Sequence, residues 1–358
     1  TQIPEELLFQ RAVRTTQKPL SRCDPSGDMV HREPHDSSES LPLAPRSRLH
    51  RITRRHCLAA LATFVSGCTR NESTLGRLEM VWGRRGVSDG RFQKPRAMAI
   101  DREDRIYVID MTARIQVFDT MGRFLRGWRT PAKEAGKPTG VSVARDGRIL
   151  VADTHYFRLL AYSPGGDLLQ TIGGTFGQEP GQFGLVTDAV EDSRGNIYIG
   201  EYGEYDRIQK FTPDGRFLLQ WGGPGSRPGQ FARPQNLAVD PLDRIWVTDA
   251  CNHRIQVFDT EGNLLSLWGA QGPHPGQLSY PYDLVLAPDE DDSVSVYVSE
   301  FGNHRIQRFT SDGRSLGCWG THGRNEGQLA NPWALVRDSQ GYLHVLDTGN
   351  HRVQKVRV

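Results

Sequence analysis

Cysteine is scarce in this chain: five residues in 358, at positions 23, 57, 68, 251 and 318, with no Cys-x-x-Cys pair. That spacing excludes a thiolate zinc finger or ribbon. A charge excess is also missing, since 44 Lys and Arg face 42 Asp and Glu. The overall balance therefore supplies no pull toward nucleic acid or an anionic membrane. No uncharged apolar run reaches the roughly 20 residues that a membrane span requires. His-Glu-x-x-His and the phosphate-binding loop are absent as well, which removes the metalloprotease and nucleotide-hydrolase signatures. A serine–histidine–acid triad is not removed by such a scan, because its members need not be close in sequence.

Glycine, by contrast, is plentiful, with 38 residues punctuating short apolar runs. Such punctuation predicts many short strands joined by turns. The first 50 residues differ: they are polar, rich in Pro, Ser and Arg, and without period, and they read as a disordered tail in which Met29 offers an alternative start. Residues 51–68 form a distinct segment. Thr53-Arg54-Arg55-His56-Cys57-Leu58 precedes the short apolar run Ala59–Val65, and Ser66-Gly67-Cys68 follows it. Paired arginines, a short apolar run and small residues before a cleavage point make an export signal. Arg54 and Arg55 resemble the bacterial twin-arginine signal, which usually has Phe where Cys57 stands and often Lys at Ala59. Val65-Ser66-Gly67-Cys68 resembles a lipobox, and that resemblance implies acylation of Cys68. Residues 69–76 read as a linker, and 77–358 as one domain.

That domain is organised by a repeated phrase. Asn252-His253-Arg254-Ile255-Gln256-Val257-Phe258 recurs as Asn303-His304-Arg305-Ile306-Gln307-Arg308-Phe309 and as Asn350-His351-Arg352-Val353-Gln354-Lys355-Val356. Weaker copies start at Arg114, Arg158 and Arg207. The six arginines lie 44 to 51 residues apart, a period belonging to propellers and other arrays. In the cleanest copy, strands are predicted from Pro234, over Arg244–Asp249, over Arg254–Phe258 and up to Trp268, with a hairpin at Glu261-Gly262. Four antiparallel strands in about 45 residues make one propeller blade. First strands are expected from Pro95, Pro138, Val186, Pro234, Pro281 and Pro332. Trp128, Trp221, Trp268 and Trp319 end fourth strands and are expected to wedge between blades with their N–H groups bonded at the rim.

The sixth copy ends after its third strand, whereas Leu78-Glu79-Met80-Val81-Trp82-Gly83 is a fourth-strand sequence standing ahead of the first blade. Residues 78–82 are thus expected to pair with the C-terminal blade and close the ring. Gly-Gln-Phe, Pro, Val-Asp, Ile-Tyr-Val-x-Asp and Asn-His-Arg-Ile-Gln-x-Phe, in that order, resemble the NHL-repeat family of six-bladed propellers. The resemblance covers about Leu78 to Val358 and implies an all-β fold. It weakens in blade two, where Asp153-Thr154-His155-Tyr156-Phe157-Arg158 lacks the Asn-His pair. Function varies within that family, so the fold alone leaves it open.

Six acids, Asp110, Asp153, Glu201, Asp249, Glu300 and Asp347, end the second strands, and their recurrence predicts a structural role, each locking a connection through an arginine or loop N–H groups. The same holds for His253, His304 and His351, which sit at equivalent turns far apart around a ring. The related lyase propellers of peptide amidation hold zinc through histidines after the first-strand proline; here those positions are Arg96, Thr139, Thr187, Gln235, Tyr282 and Trp333, so no zinc site follows. The next position varies too, and there Asp188, Asn236 and Asp283 stand out. Positions that differ in every copy of a repeat are candidates for contact with a ligand. Candidate binding residues are therefore Arg96, Thr139, Asp188, Gln235, Asn236, Tyr282, Asp283 and Trp333. Asp188, Asn236 and Asp283 form an alternative oxygen set for calcium.

The expectation drawn from these residues is a monomeric, non-catalytic binding or scaffold propeller, without cofactor. It is exported to the periplasmic or extracytoplasmic side of a bacterial membrane, held there by a lipid anchor alone, and takes a protein, peptide or glycan on one face. The alternative is a calcium-type, metal-dependent hydrolase or lyase with its site at the axial channel. Nucleic-acid binding conflicts with export and with the balanced charge.

Overall fold

A computed structural model describes residues 75–289 and 294–358. The tail, the export signal, Cys68 and most of the linker lie outside the described residues. Leu75, assigned to the linker by sequence, already belongs to the domain: its N–H donates to the Cys318 carbonyl at 3.2 Å.

Period-two alternation and Gly-containing turns generate six four-stranded antiparallel sheets. The second and third strands, such as Ile245–Asp249 and Arg254–Phe258, are buried along their whole length. The outermost strands, such as Phe217–Gly222, alternate between half-buried and exposed, as expected for sheets with one solvated edge. The innermost strands Pro95–Ile100, Gly140–Val143, Leu185–Glu191, Pro234–Val239, Pro281–Pro288 and Pro332–Arg337 each contact the next, and the last contacts the first. The result is a closed six-bladed propeller around an axial channel.

Closure follows the expected route. Arg77–Trp82 pairs antiparallel with Arg352–Arg357, placing Leu78 opposite Val356 and Trp82 opposite Val353. Blade six is thus built from both halves of the chain, in the order Pro332–Arg337, Tyr342–Asp347, Arg352–Arg357, Arg77–Trp82. Two strand starts differ from expectation. The blade-two inner strand begins at Gly140 rather than Pro138, and blade three begins at Leu185 rather than Val186. In blade two the first and second strands pair without a bulge, unlike those of the other five blades.

The terminal indoles do wedge between blades. Trp82 meets Phe92 and Phe118 of blade one, Trp221 meets Phe258 of blade four, and Trp268 meets Phe309 of blade five. Each ring lies on a hairpin glycine of the following blade. Their N–H groups are not bonded at the rim as predicted: those of Trp82, Trp128, Trp221 and Trp268 have no hydrogen-bond partner among the described residues. Seating the ring against a glycine encloses the N–H in the seam, and packing there outweighs one unmade bond. Gly262 has φ +83°, and a Cβ built there would meet Trp221 at 2.8 Å. Gly262→Ala is therefore expected to lower stability by about 1–3 kcal/mol through overpacking and left-handed backbone, read as a lower urea midpoint with unchanged m-value.

The repeated phrase explains its own recurrence. Asp249 accepts from Arg254 Nε at 2.7 Å, Ala232 N at 2.8 Å, Asn252 Nδ2 at 2.8 Å and Gln256 Nε2 at 3.0 Å. Arg254 also donates to the carbonyls of Ser226, Arg227 and Gln230, so the incoming loop is wrapped around the pair. Glu300–Arg305 and Asp347–Arg352 repeat the arrangement. Each histidine occupies the left-handed region, with φ of 54° to 57°. Its Nδ1 accepts from the next blade: Tyr280 N to His253 and Asn331 N to His304 at 3.0 Å, and Lys94 N to His351 at 2.9 Å. The histidines are blade-to-blade ties.

Candidate functional site

The sequence positions that vary around the ring share one local structure. In five blades a β-bulge interrupts the pairing just after the strand entry: Pro95 pairs with Asp110 and Ala97 with Ile109, leaving Arg96 extra. Thr187, Gln235, Tyr282 and Trp333 are the extra residues of blades three to six. A bulge re-aims a side chain and disturbs the ladder, and here it brings these side chains to the axis. Arg96, Thr139, Thr187, Gln235, Tyr282 and Trp333 line one end of the channel together with Asp188, Asn236 and Asp283. The channel there encloses about 20 Å³, room for about one water molecule.

Most of this ring is closed over itself. Thr139, Gln235, Tyr282, Asp188, Asp283 and Trp333 are buried, whereas Arg96 and Asn236 are half-exposed. Three of the candidates bridge blades. Asp188 accepts from Leu237 N at 3.1 Å and from Asn236 Nδ2 at 2.9 Å. Asn236 Oδ1 accepts from Leu284 N at 3.2 Å, and Asp283 accepts from Leu335 N at 2.8 Å. Asp188 Oδ1 keeps no partner among the described residues. Burial pushes the Asp188 carboxyl up to about 7. Burial, with Asp188 nearby, also raises Asp283 well above the usual carboxylate range. Among the described residues, no three His, Cys, Asp or Glu side chains gather as a metal site; a calcium ion would have to use Asp188 and Asp283 with the carboxamide of Asn236.

Above the channel, arginine and aromatic side chains are interleaved. The Arg96 guanidinium lies over the Trp333 ring at 5.3 Å. Trp333 stands edge-on to Tyr282 with centroids 4.9 Å apart, and Tyr282 stacks on Phe301 at 4.5 Å. Arg233 covers Tyr282 at 5.4 Å and Tyr202 at 4.8 Å. Burial, together with the neighbouring Arg233, pulls Arg96 below its ordinary pKa. Arg233, Tyr202 and Phe301 were not among the sequence candidates. A signal existed for Arg233: the residues before the strand-entry prolines include Lys94, Lys137 and Arg233, three cations in six blades. Phe301 and Tyr202 follow acids that themselves read as structural, and only the fold brings them to the mouth. Gly86-Val87-Ser88-Asp89-Gly90 has the spacing of a nucleophile elbow, yet it lies in the loop entering blade one, with no helix after it, and lacks the strand-to-helix turn which that device needs.

Asp206 stands in blade three where blades four to six use histidine, and its Oδ1 accepts from Arg233 N at 2.8 Å. Burial raises its carboxyl to about 7. A carboxyl raised in the folded state contributes stability that is full below its unfolded pKa of about 4 and is lost as pH rises through about 7. Asp206→Asn keeps an acceptor oxygen without the charge. It should stabilise the domain at pH 8 by an amount on the order of 3 kcal/mol and hardly at pH 4, measured by urea titration at both values.

The family model described as NHL repeat matches residues 231–258. Rat peptidylglycine alpha-amidating monooxygenase is 33% identical over 189 residues, covering 50% of this chain and 18% of that protein. Mouse NHL repeat-containing protein 3 is 30% identical over 207 residues, 52% of this chain and 57% of its own length. The chain thus spans less than two thirds of the curated relatives it matches. Among solved structures, a streptogramin B lyase superposes with a TM-score of 0.54 at 15% identity, over 77% of this chain and 96% of that one. An auxiliary nutrient binding protein from Bacteroides ovatus superposes with a TM-score of 0.58 at 16% identity, over 79% and 75%. At such identities the likeness is one of fold. Six blades, the wrapped acid–arginine pairs, the histidine ties and the matched repeat together describe a six-bladed β-propeller that carries an NHL repeat at residues 231–258.

Proposed function

We propose that this chain is a non-catalytic binding or scaffold propeller that takes a protein, peptide or glycan at the channel mouth around Arg96. In this reading it is exported under Arg54 and Arg55 and anchored to the outer side of a bacterial cytoplasmic membrane through Cys68. One observation carries the choice of face. Bulges in five of the six blades deliver Arg96, Thr187, Gln235, Tyr282 and Trp333 to a mouth whose channel is too narrow for a substrate, so a ligand stays at the surface. Arg and aromatic residues at such a surface suit recognition. The monooxygenase activity named for the rat relative is not carried over, because the match covers only 18% of that protein.

The test is affinity capture from membrane fractions with the wild type and with Arg96→Gln/Arg233→Gln in parallel. A partner retained by the first and lost from the second supports the reading; equal recovery places the contact elsewhere. Fractionation of the tagged full chain tests the anchor: membrane association abolished by Cys68→Ala is expected, and soluble cytoplasmic protein with an intact N-terminus refutes export. A second reading, a calcium-dependent hydrolase or lyase, is favoured by the unpartnered Asp188 Oδ1 at the channel. One stoichiometric calcium in the purified protein, absent from Asp188→Ala, would decide for it.

A further inference from the structure

Arginines of the strongest repeats are saturated. Arg254 and Arg305 each hold one carboxylate and three loop carbonyls. Arg96 is different. Its guanidinium makes no hydrogen bond or ion pair among the described residues, and its recorded contact is the face of Trp333. The charge nearest to it has the same sign: burial, and then Arg233, pull Arg96 below its ordinary pKa, while burial, with Arg96 and Lys137 nearby, lowers His155. The carboxyls beneath do not reach up to it, being tied to the backbone of neighbouring inner strands at Leu237 and Leu335. A half-buried guanidinium held by a ring and lying near a second arginine lacks only an anion. Its planar donor fork matches a carboxylate in two-point geometry.

Resting on the reading of this face as the ligand face, we propose that the mouth is a carboxylate-binding site in which Arg96 takes an acidic group of a peptide, with Arg233 adding charge from across the opening. A peptide is favoured over an acidic sugar by the state of the rings. A pyranose needs an open aromatic platform, and here Tyr282 is 1% and Trp333 9% exposed. Their faces are already occupied by Phe301, Arg233 and Arg96. The rings serve as props for the arginines, and the donor fork is what remains for the ligand. A channel of about 20 Å³ stops the peptide at the mouth, leaving its main chain on the surface.

The experiment is a titration of the full chain, labelled with ¹⁵N-arginine, following the Arg Nε–H resonances, with that of Arg96 assigned by its loss in Arg96→Gln. Four probes are used: an acetylated tripeptide amide carrying one internal Glu, the same peptide with Gln, a neutral tripeptide ending in a free carboxylate, and glucuronate. The expected result is a saturable shift of the Arg96 resonance with the Glu peptide or the free-carboxylate peptide, and at least tenfold weaker response to the Gln amide. Which acidic peptide binds more tightly separates a side-chain from a terminal carboxylate. Tryptophan fluorescence should report the same titration, the change assigned to Trp333 by its loss in Trp333→Phe, with the response at least tenfold weaker in Arg96→Gln and partly kept in Arg96→Lys. Equal response to the Gln amide overturns the carboxylate assignment while leaving the face as a ligand site. Response to glucuronate alone overturns the peptide. No response to any probe overturns the inference, and the paired capture experiment then judges the broader reading on its own.

Discussion

Deleting Arg77–Gly83 should convert a monodisperse, cooperatively melting domain into an aggregating one. The segment supplies the outermost strand of blade six, and without it Arg352–Arg357 becomes an open edge. Open edges template pairing with other chains. The loss also strips Trp82 from its seat against Phe92 and Phe118, and Leu78 from the cluster around Trp319 and Val356. Trp82→Ala alone is expected to cost about 3–5 kcal/mol. Four or so ladder bonds add about 1 kcal/mol each, so the deletion removes a large part of a typical domain's stability of about 5–15 kcal/mol. Size-exclusion chromatography and thermal unfolding make the check. A deletion variant that stays monomeric with the parent's melting temperature would show that the ring holds without its first strand.

The second large effect contrasts two acids at equivalent positions. Asp249→Ala leaves Arg254 buried without its counter-charge, strands Ala232 N and removes one of the two acceptors from each of Asn252 and Gln256. Breaking a buried pair from one side costs about 3–5 kcal/mol. Asp153→Ala in blade two should cost only about 1 kcal/mol. There the acid accepts from Arg158 Nε at 2.8 Å, its Oδ1 has no partner among the described residues, and the arginine side chain is 22% exposed. Leu160 stands where the other blades carry the bonding glutamine. Burial already raises the Asp153 carboxyl above the usual range, so losing it removes a poorly supported charge. Urea midpoints measured together rank the two; equal losses would mean that the wrapped loop contributes nothing.

These contrasts show what a reader of the sequence can and cannot extract. The period, the glycine turns, the tryptophan ending every fourth strand but that of blade two and the misplaced copy at Leu78–Trp82 are local patterns, and each survives unchanged in the fold. The acids and histidines could be assigned structural roles because recurrence is itself the signal. The bulges could not be read, since Arg96, Gln235 and Trp333 sit in ordinary strand sequence and become extra residues only when the partner strand is paired. Nor could the cross-blade use of Asp188, Asn236 and Asp283, which depends on where the next inner strand's N–H falls. The mouth itself is assembled from Arg96 in blade one, Tyr202 in blade three, Arg233 in blade four and Trp333 in blade six. Residues so far apart in sequence become neighbours only through the circle.

The pairing of Arg77–Trp82 with Arg352–Arg357 also sets a timetable. The two partners are about 280 residues apart, and translation at about 5–20 residues per second separates their emergence by roughly 14–56 s. For that interval the opening strand and its indole wait without a mate, while five sheets have time to form behind them. A nascent chain stalled or clipped before Arg352 carries two unsatisfied borders at once, and quality-control binding should concentrate on such fragments rather than on internal lesions.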